Sequence, residues 1–208
     1  VVLLSKKPAP GISNINLQIH TTKVALEYLE PYSDYVLKTR SDQICDSQND
    51  WIGYFLNLQK IFPVQEGALQ NRLIISSLGS FNNRLYGIPD FLMFGSYSDM
   101  NLFWAIPFDK KKSSERQVEL NPDFFIREEV AEGYLVSMFC KNIGFQLKWD
   151  LTDSQKFIAH YFCVADKEAI GHFWYKYHWE FENFIYSEGC LQLKPEIQFS
   201  NWLEFYLK

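Results

Sequence analysis

Residues 35–42 read Tyr-Val-Leu-Lys-Thr-Arg-Ser-Asp, a short apolar run that passes into charged and polar residues. The apolar part predicts a β-strand, and Pro31 ends a helix that precedes it. That helix is predicted, with Ser13 as its N-cap, because residues for one buried face recur at steps of three and four. The face would consist of Ile15, Ile19, Thr22, Leu26 and Leu29. Residues 1–4, Val-Val-Leu-Leu, are typical of a buried strand, so the three segments predict a right-handed βαβ unit.

The polar end of the second strand places Asp42 at the edge of the predicted sheet. In α/β sheets, ligands bind beyond the carboxyl ends of the strands. A carboxylate there can bind Mg²⁺ or Mn²⁺, which prefer oxygen ligands and neutralise the charge on a leaving diphosphate. Lys38 and Arg40 add positive charge, and strand alternation puts both on one side with Thr39 opposite. The alternative role of Asp42 is a helix cap or a turn residue.

The remaining hydrophobic patterns complete an α/β prediction with a mixed, mostly parallel sheet flanked by helices. Helices are predicted at residues 47–62, 97–106 and 128–140, and strands at 72–77, 91–94 and 145–147. Gly144 would stop the last helix, residues 107–122 would form a polar loop, and the aromatic-rich residues 173–185 would be helical. We expect one domain over residues 1–208, with residues 145–208 as a less regular C-terminal extension packed on it.

The composition limits the classes of function and partner. The net charge is -5 and hydrophobic residues make up 47%, which indicates a globular protein without the basic surface that nucleic acids need. The basic residues 110–112 and Arg116 suit a solvated loop or a transient contact with an anionic membrane. The four cysteines are widely spaced, which favours reduced thiols over a zinc or disulfide framework. Since no apolar segment is long enough to span a membrane, we expect a cytoplasmic protein, at most peripheral to the inner membrane.

Four segments taken together resemble the WavE lipopolysaccharide-synthesis family. Residues 14–19 lead a helix into the strand at 35–42, whose Lys-Thr-Arg-Ser-Asp block is the most specific part of the resemblance. Residues 89–95 are similar to the family's Asp-aromatic-x-x-Phe-Gly segment, and residues 131–135 resemble its Glu-x-Tyr-Leu helix. The order and approximate spacing of the four segments agree with the family over residues 14–135.

This resemblance implies a GT-A-like, Rossmann-related glycosyltransferase. It would move a sugar from a nucleotide-diphosphate donor to a lipopolysaccharide or other surface-polysaccharide acceptor, which is a glycan or a lipid-linked glycan. Asp42 would match the last acidic residue of the usual Asp-x-Asp motif and bind Mn²⁺ or Mg²⁺, although Arg40 stands where the first Asp belongs. Lys38, Arg40 and Ser41 would contact the donor. Only the last strand of the base-binding βαβ portion, residues 1–4, is expected here, so the first βα elements would lie outside this chain.

Two acidic residues are candidate general bases for the acceptor hydroxyl, which an inverting mechanism requires. Asp90 precedes a predicted strand, and Glu132 lies on a predicted helix. The alternatives are a turn or cap residue for Asp90 and an exposed helix residue for Glu132. His172 and His178 are predicted to be packed or surface residues, because six positions apart they do not share one helix face.

A second hypothesis is a non-catalytic carbohydrate-binding or assembly module that keeps the fold without a working metal site. The missing first Asp of the metal motif and the short N-terminus favour this hypothesis. A hydrolase has no support, because no GxSxG elbow surrounds Ser76, Ser77 or Ser80.

Overall fold

A computed structural model describes residues 1–45, 48, 50–82, 84–111, 131–175 and 196–208 of the chain. Within these ranges the fold is α/β, with a mixed four-stranded sheet flanked by helices, so the α/β part of the prediction is confirmed. The strands are β1 (Tyr35–Lys38), β2 (Leu73–Ser76), β3 (Met93–Ser96) and β4 (Phe162–Ala165). The helices are α1 (Ile15–Leu29), α2 (Trp51–Ile61), α3 (Tyr97–Trp104), α4 (Ala131–Ile143), α5 (Leu151–Tyr161) and α6 (Phe199–Tyr206).

The sheet has the strand order β1-β3-β2-β4, and its pairing corrects the prediction of a mostly parallel sheet. Strand β3 runs antiparallel to both β1 and β2, and only β2 and β4 are parallel neighbours. The prediction is wrong because β3 is inserted between two strands that run in the same direction. As a result, the carboxyl ends of β1, β2 and β4 meet the amino end of β3 at one edge of the sheet, which we call the site edge.

The start of the chain also differs from the prediction. Residues 1–4 form no strand, and the side chains of Val1, Val2 and Leu4 are almost fully exposed. The prediction of a first strand for the βαβ unit is therefore wrong. Its helix and its second strand are confirmed as α1 and β1. Ser13 is not the N-cap, because α1 begins after Asn14, which has a left-handed backbone conformation with φ of 65°. A four-residue apolar run carries too little information to distinguish a buried strand from an exposed terminus.

The helix limits follow local hydrogen bonding more than the hydrophobic pattern alone. Helix α2 begins later than predicted, where the Asp50 carboxylate accepts a hydrogen bond from the backbone N–H of Gly53. Gly144 ends α4 as predicted, with φ of +70°, and Phe145 N–H donates to the Cys140 carbonyl at 2.9 Å. Residues 112–122, 128–130 and 176–185, which carry parts of three predictions, lie outside the described residues.

The C-terminal part supplies a strand of the sheet itself. Residues 145–147 form no strand, and the predicted pattern missed α5, β4 and α6. Strand β4 is buried throughout and pairs with β2. Large side chains from most elements fill the core around it, among them Phe55, Phe103, Phe139, Phe157 and Trp202. None of the helices in the described ranges combines the length and apolar character needed to cross a bilayer.

Candidate functional site

Five of the six predicted site residues form three ion pairs, two at the site edge and one beside it. Arg40 pairs with Asp42 just after β1, at 3.0 Å between Nε and Oδ1. Lys38, the last residue of β1, pairs with Asp90, which precedes β3, at 3.2 Å. The third pair joins Glu132 on α4 to a residue of the connection between β2 and β3. Ser41, the sixth, lies exposed in the turn between Arg40 and Asp42.

Asp42 accepts hydrogen bonds from two sides. Both guanidinium nitrogens that face it, Nε and Nη2 of Arg40, donate to its carboxylate at 3.0 and 3.2 Å, and Trp174 Nε1 donates at 3.1 Å. The hydrogen bonds from Arg40 lower the pKa of Asp42, partial burial opposes them, and Trp174 adds to the lowering. Since 38% of its side chain is exposed, Asp42 is an anionic, accessible carboxylate in a turn rather than a helix cap.

An aromatic layer, formed by Trp174 and Phe91, packs against the Arg40 guanidinium. Its central carbon lies 4.8 Å from the centroid of the Trp174 ring, a cation–π contact. Phe91 packs edge-on against Trp174, with ring centroids 4.7 Å apart. The planar fork of N–H groups on a guanidinium is the geometry that phosphates and carboxylates bind best, and here its Nε and Nη2 groups donate to Asp42.

The predicted divalent cation can be tested against the residues present. In the part of the chain that the structure describes, no three His, Cys, Asp or Glu side chains come together as a metal cage. Mg²⁺, however, is often bound by one or two carboxylates plus substrate phosphates and water. The exposed, anionic Asp42 meets this minimal requirement, so it fits a cation that arrives with a nucleotide diphosphate.

Lys38 and Asp90 form a buried pair at the base of the site. Only 12% of the Lys38 side chain and 4% of the Asp90 side chain are exposed. The ammonium also donates to the Asp90 carbonyl and to Gln18 Oε1, and it lies 5.0 Å from the centroid of the Trp104 ring. Burial lowers the pKa of Lys38, and the Asp90 charge opposes this effect. Asp90 is therefore a carboxylate with a built-in counter-ion, placed where β3 enters the site edge.

Glu132 lies in the first turn of α4 and pairs with Arg84 at 3.0 Å. The Arg84 guanidinium lies over the Phe81 ring at 5.2 Å, in the connection between β2 and β3. This pair ties α4 to that connection. Asp42 and Asp90 have different partners, so the structure does not unite the three acidic candidates in one cluster.

Three further residues lie together at the site edge, and none of them was assigned to the site from the sequence. The His172 ring is buried, with Nδ1 2.7 Å from Ser76 Oγ and Nε2 3.1 Å from Gln43 Oε1. Gln43 follows Asp42 directly, and Ser76 is the last residue of β2. No local spacing signals this cluster, because His172 lies 96 residues from Ser76 and 129 from Gln43. His178 lies outside the described residues.

Gly79 and Gly144 offer a matched test of how tightly the aromatic layer is packed. Both have positive φ, and a Cβ at Gly79 would lie 2.5 Å from the Phe91 ring, whereas one at Gly144 would meet nothing within 4 Å. We expect each alanine substitution to cost about 1–2 kcal/mol for the left-handed backbone. Gly79→Ala should cost about 1 kcal/mol more, because Phe91 must move. Urea unfolding measures both losses, and equal values would show that Phe91 moves without cost.

The family resemblance drawn from the sequence rests on four short segments between residues 14 and 135. The fold around them is α/β, and it brings the most specific segment, residues 35–42, to the site edge. Because no protein-family model, curated protein or solved structure gives a significant match to the chain, the WavE resemblance and the GT-A fold stay predictions.

Proposed function

We propose that this chain is a glycosyltransferase that uses a nucleotide-diphosphate sugar as its donor. The observation that carries the proposal is the pairing of an accessible carboxylate, Asp42, with the guanidinium of Arg40, which lies over the Trp174 ring just beyond the carboxyl end of β1. Such an edge is where α/β folds bind nucleotides and their phosphates. The proposal assigns a GT-A-like fold. It also takes surface polysaccharide, including lipopolysaccharide, as the acceptor class from the resemblance to the WavE family.

The reaction is a substitution at the anomeric carbon of the donor sugar. An oxygen of the acceptor glycan forms the new bond to that carbon, the bond to the diphosphate breaks, and its electron pair leaves with the diphosphate. Arg40 would bind the diphosphate as its charge grows, and Ser41 would add a hydroxyl contact. For an inverting reaction, Asp90 would accept the proton of the acceptor hydroxyl, with Lys38 as its counter-ion.

Asp42 would hold the divalent cation, Mg²⁺ or Mn²⁺, that accompanies the donor. Such a cation neutralises negative charge on the diphosphate. In that arrangement Asp42 would serve both the cation and Arg40, its partner in the ion pair. Glu132 on α4, which pairs with Arg84, is the second candidate base and would act on the acceptor.

Calorimetric titration with UDP and with GDP, each with and without Mn²⁺, tests this proposal. We expect one of the two nucleotides to bind, more tightly with Mn²⁺, and Asp42→Asn to weaken that binding at least about tenfold, which equals about 1.4 kcal/mol. Asp34→Asn is the matched control, because Asp34 is an exposed aspartate at the opposite end of β1. The control should bind like the unchanged protein.

The competing function is a non-catalytic carbohydrate-binding or assembly module. The observation that favours it is that the charges of the site already neutralise each other, Arg40 with Asp42 and Lys38 with Asp90. This function predicts that neither nucleotide binds, or that Asp42→Asn leaves the affinity unchanged. Either result would contradict the glycosyltransferase proposal.

A further inference from the structure

The buried imidazole of His172 joins strand β2 to the turn that carries Asp42. Only 4% of His172 is exposed, and each ring nitrogen has one polar neighbour. Gln43 Oε1 can only accept a hydrogen bond, so the His172 Nε2–H donates to it. Nδ1 then accepts from the Ser76 hydroxyl, and Ser76 Oγ in turn accepts from the backbone N–H of Leu78 at 3.2 Å.

The same imidazole connects the two segments that build the Asp42 site, since His172 lies on one and contacts Gln43 on the other. Gln43 follows Asp42 in the chain, and Trp174, which donates to Asp42, comes two residues after His172. The two segments also pair through their backbones, where Ile44 and Phe173 exchange hydrogen bonds of 2.9 and 2.8 Å. The His172 backbone N–H donates to the carbonyl of Lys167 at 2.8 Å, and Lys167 comes two residues after the end of β4. This hydrogen bond anchors the His172 backbone next to the sheet.

Gln43 is held in place at a cost. In the described part of the chain, its amide nitrogen Nε2 is buried and has no hydrogen-bond partner. A buried donor without a partner is unfavourable, so the amide would gain by turning toward water. The hydrogen bond from His172 to Gln43 Oε1 opposes this rotation, and Asp42 is the residue directly before Gln43.

We infer that His172 is a positioning residue of the Asp42 site, which it sets for a nucleotide diphosphate by fixing Gln43 and the Trp174 segment to the sheet. This inference rests on the proposed function for its ligand. It assigns His172 no contact with substrate and no proton transfer. The contact with Gln43 is the one that matters for the ligand, because the His172 backbone is already anchored to the sheet on the other side.

Two amide substitutions separate the two contacts of the imidazole. The amide of asparagine reaches the place of Nδ1 and keeps the contact with Ser76, whereas that of glutamine reaches the place of Nε2 and can donate to Gln43. We expect His172→Asn to weaken the binding of the preferred nucleotide, UDP or GDP, about tenfold in the presence of Mn²⁺. His172→Gln should keep most of the affinity, although both variants lose similar stability.

A second measurement does not need the nucleotide. Amide hydrogen exchange should become faster at residues 41–45 and 172–175 in His172→Asn and in the milder Gln43→Ala, while α4 stays protected. His20→Asn is the matched control, because the half-buried His20 also lies 2.8 Å from a serine hydroxyl, that of Ser5, but lies on α1. It should leave exchange at residues 41–45 unchanged.

The two measurements distinguish the failure of this inference from the failure of the proposed function. If the unchanged protein binds no nucleotide but exchange still rises at residues 41–45, the glycosyltransferase proposal fails and the positioning of Asp42 by His172 stands. If exchange at residues 41–45 is the same in His172→Asn, in Gln43→Ala and in the unchanged protein, the inference is overturned. Equal nucleotide affinity for His172→Asn and His172→Gln would also overturn it.

Discussion

Asp90→Ala is expected to lower the free energy of unfolding by about 3–5 kcal/mol. The substitution leaves the Lys38 ammonium buried, 12% exposed, without the carboxylate that compensates its charge. A buried charge that has lost its partner costs far more than the net value of the intact pair. The carbonyl of residue 90 and Gln18 would still accept from Lys38, so the substitution removes the charge of the carboxylate and the one hydrogen bond that the carboxylate accepts. Urea unfolding at neutral pH measures it.

The matched control is the double variant Lys38→Met, Asp90→Ala. It removes both charges, and an apolar side chain in place of a buried ion pair is often neutral. We therefore expect the double variant to be more stable than Asp90→Ala alone, which in a double-mutant cycle gives a large coupling energy. A loss below about 1 kcal/mol for Asp90→Ala would show that water already solvates the pair.

Acidification is expected to destabilise the protein by roughly 3 kcal/mol through His172 alone. Burial, with a smaller effect of the Lys167 charge, lowers the pKa of His172 from 6.5 to about 4. Between these two values the unfolded chain binds a proton that the folded protein does not. The contribution is therefore absent above pH 6.5, grows as the pH falls, and is complete below about pH 4.

Urea unfolding at several pH values between 7 and 4 checks this prediction, with His172→Gln as the reference, since carboxylates also titrate in this range. The stability of the unchanged protein should fall more steeply than that of the variant. Two parallel curves would show that the His172 imidazole is protonated as readily in the folded protein as in the unfolded chain.

The helix–strand unit around residues 15–38 was predictable because its signals are local. The repeat of buried positions in α1, the stop at Pro31 and the apolar run of β1 each lie within a few residues. The position of Asp42 at a sheet edge followed from these signals. The antiparallel direction of β3 did not, because a four-residue strand carries no signal of its direction and only the partner strands decide.

Helix α5 carried a local signal that the prediction overlooked. Asp150 caps it by accepting from the backbone N–H of Asp153 at 2.8 Å, and apolar residues follow at helical spacing. The partners inside the site carry no such local signal. Lys38 and Asp90 lie 52 residues apart, and His172 lies even further from Ser76, so only the folded chain brings these groups together.

The reversed strand β3 has a consequence for how this surface can evolve. Because β3 starts where its neighbours finish, the connection from β2 to β3 both leaves and re-enters the sheet at the site edge. Insertions or substitutions in that connection can therefore change the surface at the site edge while the strand register stays the same. We expect diversification among descendants of this chain to concentrate there, with the four strands serving as an unchanging frame.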